Sequence, residues 1–116
     1  MLSNPDSKET ISGKVRFADT SLKRLRGLMF EQEKNFDYAL VFELPSETRF
    51  GASVHMMFVF FPIDIVFLDS QKRVVDKATL NPWEMNYIPK KAAKYFVELP
   101  KGKAKNIRLG NRLEWK

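Results

Sequence analysis

The chain of 116 residues has no cysteine and a single histidine, His55. The first absence excludes disulfides, thiolate nucleophiles and cysteine-based zinc sites. The second leaves a transition metal little beyond carboxylates, so neither a metal site nor a cofactor is expected. A chain without thiols suits a reducing compartment. Also missing are a glycine-rich phosphate loop, a G-x-S-x-G nucleophile elbow and a pair of carboxylates spaced within one apolar segment. No residue is therefore assigned a catalytic role. The N-terminal stretch MLSNPDSKET lacks a basic start followed by an apolar run, so neither a secretory signal nor a membrane anchor is expected, and the expected location is the cytoplasm.

What is present favours a packed core. The hydrophobic fraction is 44%, with ten Phe, three Tyr and two Trp, enough to fill one domain of this size without staples. Residues 1–10 are polar and carry Asn4-Pro5, which reads as a flexible arm ahead of a single β-rich domain over residues 11–116. Its centre is the run VHMMFVFFPIDIVFL at residues 54–68, where only His55 and Asp64 are polar. As a helix it would reach about 22 Å, short of the ~30 Å of a bilayer core, so no membrane span is expected. Pro62 cannot donate to a central ladder and divides the run into two strands, residues 54–60 and 63–69, each covered on both faces.

The other expected elements flank that run. Residues 11–19 and 38–44 read as strands, the second stopped by Pro45. Between them Thr20 and Ser21 cap a helix through residues 22–29, with a core stripe of Leu22, Leu25, Leu28 and Met29. Gly27 in that stretch marks either the end of the helix or the close passage of another backbone. Residues 73–80 return as a hairpin partner of 63–68, and residues 81–93 form a long loop pinned by its aromatics. Residues 95–99 form a strand closed by Pro100, residues 102–107 make one or two helical turns, and residues 112–115 form the last strand. Six to eight strands with one or two short helices predict a mainly β fold, an antiparallel sandwich or barrel.

Several of these pieces occur in a specific order: Arg26-Gly27-Leu28-Met29, Ala39-Leu40-Val41-Phe42, Pro62 through Asp69, Arg73-Val74-Val75, Val97-Glu98-Leu99-Pro100 with Gly102, and Gly110. In this series the chain resembles the DUF192 family of small bacterial and archaeal proteins, over residues 13–115. The resemblance implies a compact β-rich domain and no established activity. Many members look like Phe-Trp-Met-Lys-Asn-Thr before the two residues preceding the proline, where this chain has Val54-His55-Met56-Met57-Phe58-Val59.

Two places could carry function. Asp64 is the one charge in an apolar run, and a buried carboxylate needs a partner, an exit to solvent or a proton. It is read either as a ligand-binding carboxylate in a pocket shared with Arg26, Arg49 and the loop 81–93, or as a structural acceptor at the Pro62 bend or in a pair with Arg26. His55 joins the candidates because its unperturbed pKa lies near neutrality, with a packed or edge histidine as the plainer reading. The second place is the last quarter. The net charge is +6, and residues 90–112 hold eight basic residues against one acid, giving +7 there and −1 elsewhere. Lys90, Lys91, Lys94, Lys101, Lys103, Lys105 and Arg108 would form a positive face for nucleic acid or another anionic partner if they share one surface. The leading reading is a non-enzymatic binding module taking a small ligand or anionic partner beside Asp64. The alternatives are a nucleic-acid binder through the basic face and an enzyme of unassigned class.

Overall fold

A computed structural model describes residues 1–20, 23 and 26–116. Of the expected helix over residues 22–29, residues 22, 24 and 25, including Leu22 and Leu25 of its stripe, lie outside the described residues. Eight strands are present among the described residues: β1 (Leu2–Asn4), β2 (Glu9–Ser12), β3 (Val15–Phe17), β4 (Ala39–Thr48), β5 (Ile63–Leu68), β6 (Val74–Leu80), β7 (Ala93–Pro100) and β8 (Glu114–Trp115). They form a five-stranded sheet of order β3-β4-β7-β5-β6 and a three-stranded sheet of order β2-β1-β8. The mainly β sandwich expected from the strand count is present. Every pairing is antiparallel except that of β3 with β4.

The large sheet separates two cores because side chains alternate across a strand. Ile63, Ile65 and Phe67 of β5 face one core with Leu40, Phe42 and Phe96. Val66 and Leu68 face the other, with Val41, Val97, Leu99 and Leu113. All six residues of β5 are buried, which explains a sequence that is apolar at every position but Asp64. The first core is roofed by the loops 50–61 and 81–89, which supply Ala52, Val54, Met56, Val59, Phe61 and part of Tyr87. The second is covered by the small sheet and by the turns at residues 101–110, which supply Leu2, Ala104 and Ile107.

Four expectations are corrected. Residues 1–10 are not an arm: β1 pairs with β2 and β8, and Leu2 is fully buried in the second core. Residues 11–19 do not form one strand but contribute to β2 and β3, with Gly13 between them. Pro45 does not end β4, which continues to Thr48 past an irregular register between Glu43 and Thr48 that spares Pro45 from donating to the ladder. Residues 54–60 do not form a strand. Val54 makes an isolated antiparallel bridge to Tyr87, Met56 N–H donates to the Glu84 carbonyl at 2.7 Å, and the chain then turns, with Val59 N–H on the Met56 carbonyl at 3.1 Å. Val54, Met56 and Val59 are apolar because they roof a core, which demands burial without demanding a ladder.

Candidate functional site

Burying a carboxylate is costly unless its oxygens are hydrogen-bonded, so each buried acid has to be accounted for. Asp64, Asp76 and Glu98 are buried in this fold. Asp64 lies on the side of β5 that carries Val66 and Leu68. Its Oδ1 accepts the Thr79 hydroxyl at 2.8 Å, and its Oδ2 accepts Gly102 N–H at 2.9 Å and Ala104 N–H at 3.0 Å. It thus ties β5 and β6 to the turn after β7. Its donors come from Thr79 and the turn at residues 102–104, not from the Pro62 bend or from Arg26. Asp76 is engaged as fully: Oδ2 accepts the Tyr87 hydroxyl at 2.7 Å and Lys90 N–H at 3.1 Å, and Oδ1 accepts Lys77 N–H at 2.9 Å.

Glu98 is different. It sits on β7 at the same parity as Phe96 and pairs with Leu40 of β4 and Ile65 of β5, so its side chain enters the phenylalanine-rich first core. It is 5% exposed, and among the described residues its Oε1 has no hydrogen-bond partner. Burial pushes its carboxyl up to about 8. At neutral pH the side chain is mainly the uncharged acid.

The Glu98 side chain lines a cleft of about 70 Å³ together with Arg26, Gly27, Ser53, His55 and the stacked rings of Phe42 and Phe96. Gly27 makes this opening. Its φ of +51° is the left-handed conformation of a residue ending a helical turn, and its N–H donates to the Lys23 carbonyl. A Cβ there would stand 3.6 Å from the Phe42 ring and 3.8 Å from Glu98 Oε1. Glycine thus keeps the approach to the carboxyl uncovered. Arg26 is exposed and anchored by Nε donating to the Met29 carbonyl at 3.1 Å. His55 is exposed, and its Nδ1 accepts Met57 N–H at 3.3 Å.

The residues singled out from sequence are therefore not gathered into one site. Arg26 and His55 line one cleft, whereas Asp64 faces the opposite core. Arg49 is tied to the loop 81–93, with Nε donating to the Pro89 carbonyl at 2.9 Å. The basic residues divide along β7. Lys90, Lys91 and Lys94 lie before or at its start and Lys101, Lys103 and Lys105 beyond its end, so Lys94 and Lys101 are about 23 Å apart at 3.3 Å per residue. Arg108 precedes a turn returned to β6 by Gly110 N–H on the Val74 carbonyl. Lys94 is already occupied, with Nζ on the Leu44 carbonyl and 3.6 Å from Glu43.

Sequence reasoning passed over Glu98. Its signal was present: in YFVELP the acid shares the strand face of Phe96, the inward one.

A larger groove of about 530 Å³ runs between Phe17, Tyr95 and Trp115. Its charges are paired, Lys94 with Glu43 and Asp19 with Lys23, so it offers less to a ligand than the smaller cleft. No group of three or more potential metal ligands occurs among the described residues, and no helix among them is long and apolar enough to cross a membrane.

Comparison with known proteins agrees with the order of motifs. The DUF192 family model, described as "Uncharacterized ACR", matches residues 2–115. A UPF0127 protein of Pyrococcus furiosus is 49% identical over 117 aligned positions, covering 99% of this chain and 97% of that one. A UPF0127 protein of Thermococcus sibiricus is 46% identical, covering 99% of this chain and 74% of its own length. Among solved structures, a protein of unknown function from Novosphingobium aromaticivorans superposes with a TM-score of 0.77 at 25% identity, covering 87% of this chain and 74% of that one.

Proposed function

Because the chain belongs to the DUF192 family, whose description assigns no chemistry, the site's own residues have to indicate its use, and we propose that the protein is a non-enzymatic binding module receiving one end of a small ligand in the Glu98 cleft. One observation carries this reading: of three buried carboxylates, two are saturated with hydrogen bonds and the third faces an open cleft with an unpartnered oxygen. A buried polar group left unpaired costs ~1–3 kcal/mol, a cost that a ligand donating or accepting a hydrogen bond would recover. Binding is favoured over catalysis because His55, the natural partner for acid–base work, has no carboxylate orienting its ring and lies on the surface.

The test is Glu98→Met, which keeps the approximate volume and removes the polar end. The variant is expected to gain about 1–2 kcal/mol of stability, as stabilising replacements at binding sites often do. It should also lose the saturable amide shifts that fragments of a few heavy atoms induce at residues 26–28 and 96–98 of the native protein. Destabilisation by more than about 1 kcal/mol would make Glu98 structural and end the proposal.

A further inference from the structure

Resting on the Glu98 cleft as the binding site, we propose that the ligand's buried end is a carboxylate, held by Arg26 and His55 at the rim and hydrogen-bonded by the Glu98 carboxyl at the floor. The rim presents donors. The Arg26 guanidinium offers donors only, Nε being engaged by the Met29 carbonyl. Because His55 Nδ1 accepts Met57 N–H, the neutral ring carries its proton on Nε2, where it serves as a donor. Ser53 adds a hydroxyl able to donate. Such a rim selects a ligand rich in acceptors, and Arg26 opposes the entry of an ammonium group.

The floor completes the match. A carboxyl enclosed by Leu40, Ile65, Phe42 and Phe96 holds its proton because burial disfavours the charged form, and a protonated carboxyl can donate to a carboxylate. The other ionisable groups on this core are closed on one another: the Tyr38 hydroxyl donates to Glu31 at 2.6 Å under the Arg16 guanidinium, and the Tyr87 hydroxyl to Asp76 at 2.7 Å. Glu98 is thus the group whose proton governs the cleft, with Arg26 and His55 lining it alongside. Above pH 8 Glu98 ionises and repels the ligand, so affinity falls as pH rises.

The experiment titrates the full chain with propionate, propionamide and propylamine, which are of similar size but anionic, neutral and cationic, and follows backbone amide shifts at pH 7 and pH 9. Propionate is expected to give saturable shifts at Gly27, Phe96 and Glu98 at pH 7 and to bind about tenfold more weakly at pH 9. Glu98→Gln, which keeps an N–H donor but cannot ionise, should retain propionate at pH 7 and lose most of the pH slope. Arg26→Gln should weaken it at least fivefold. A short peptide with a free C-terminus binding more tightly than propionate, and not when amidated, would assign the carboxylate to a protein tail; propionate equal to or tighter than that peptide would assign it to a small acid. Preference for propylamine, or equal binding of propionamide, overturns the carboxylate and leaves the cleft as a binding site. Silence of all three while other fragments still shift residues 26–28 also overturns the carboxylate alone, whereas silence of every fragment removes the site itself.

Discussion

At the scale of single residues the molecule is told by its three buried acids. Asp64 accepts three hydrogen bonds from β6 and from the turn after β7. Asp64→Asn turns one acceptor into a donor facing N–H or O–H groups, and Asp64→Ala removes both. Each should cost about 2–4 kcal/mol in urea unfolding, with the Glu98 cleft unaffected. Glu98 works the other way on pH. Its carboxyl rises from 4.5 to about 8 on folding, so between those values the folded state binds more protons than the unfolded one. Its contribution is full below about pH 4.5 and is lost as pH rises through 8, at up to about 1.4 kcal/mol per unit. A declining midpoint of thermal unfolding from pH 5 to pH 8 is expected, with the slope reduced in Glu98→Gln; an unchanged slope in that variant would place the titration elsewhere.

At the scale of elements, β5 and the loop 54–61 illustrate how one hydrophobic run can serve two purposes. Past Pro62 the chain is a central strand buried on both faces. Before it, the chain is a roof whose backbone bonds go to residues 30, 83, 84 and 87 instead of a sheet partner. Three bulky residues there and in adjoining loops hold left-handed φ values: Phe30 at 65°, Phe58 at 60° and Trp83 at 62°. Each costs on the order of 1–3 kcal/mol. Stacking of Phe30 on Phe58 at 4.9 Å and edge contact of Phe58 with Trp83 at 4.8 Å offset part of that cost. The N-terminal strand is equally committed. Leu2→Ala should destabilise by about 2–5 kcal/mol, measured by the shift in denaturation midpoint, because Leu2 is enclosed among Ile11, Val66 and Leu113; an effect under 0.5 kcal/mol would mean that β1 is not anchored.

At the scale of the whole molecule, a charge excess confined to one quarter of the chain does not become one surface, because β7 carries it from one end of the sheet to the other. Any polynucleotide binding should engage only part of the eight cations. A plot of log affinity against log salt should then have a slope of about −3 or shallower, whereas about −7 would be expected from a continuous face. A slope near the steeper value, reduced by charge reversal at Lys94 and Lys101 together, would contradict the separation.

The fold class, β5, the β5–β6 hairpin and the pinned loop 81–93 followed from sequence because burial on both faces, alternation and turn chemistry are local properties. The early end assigned to β4 and the strand assigned to residues 54–60 failed for a related reason: apolarity reports burial, while the choice between ladder and roof depends on which backbone groups lie opposite. Glu98 and Asp64 show the same limit in the site. Each is a lone acid in an apolar strand, indistinguishable by local pattern. Folding sets Asp64 against the donors of residues 79, 102 and 104, and sets Glu98 beneath Gly27 with its Oε1 unpartnered among the described residues. That difference arises from side-chain parity on neighbouring strands and from loops distant in sequence, and only the tertiary structure brings them together.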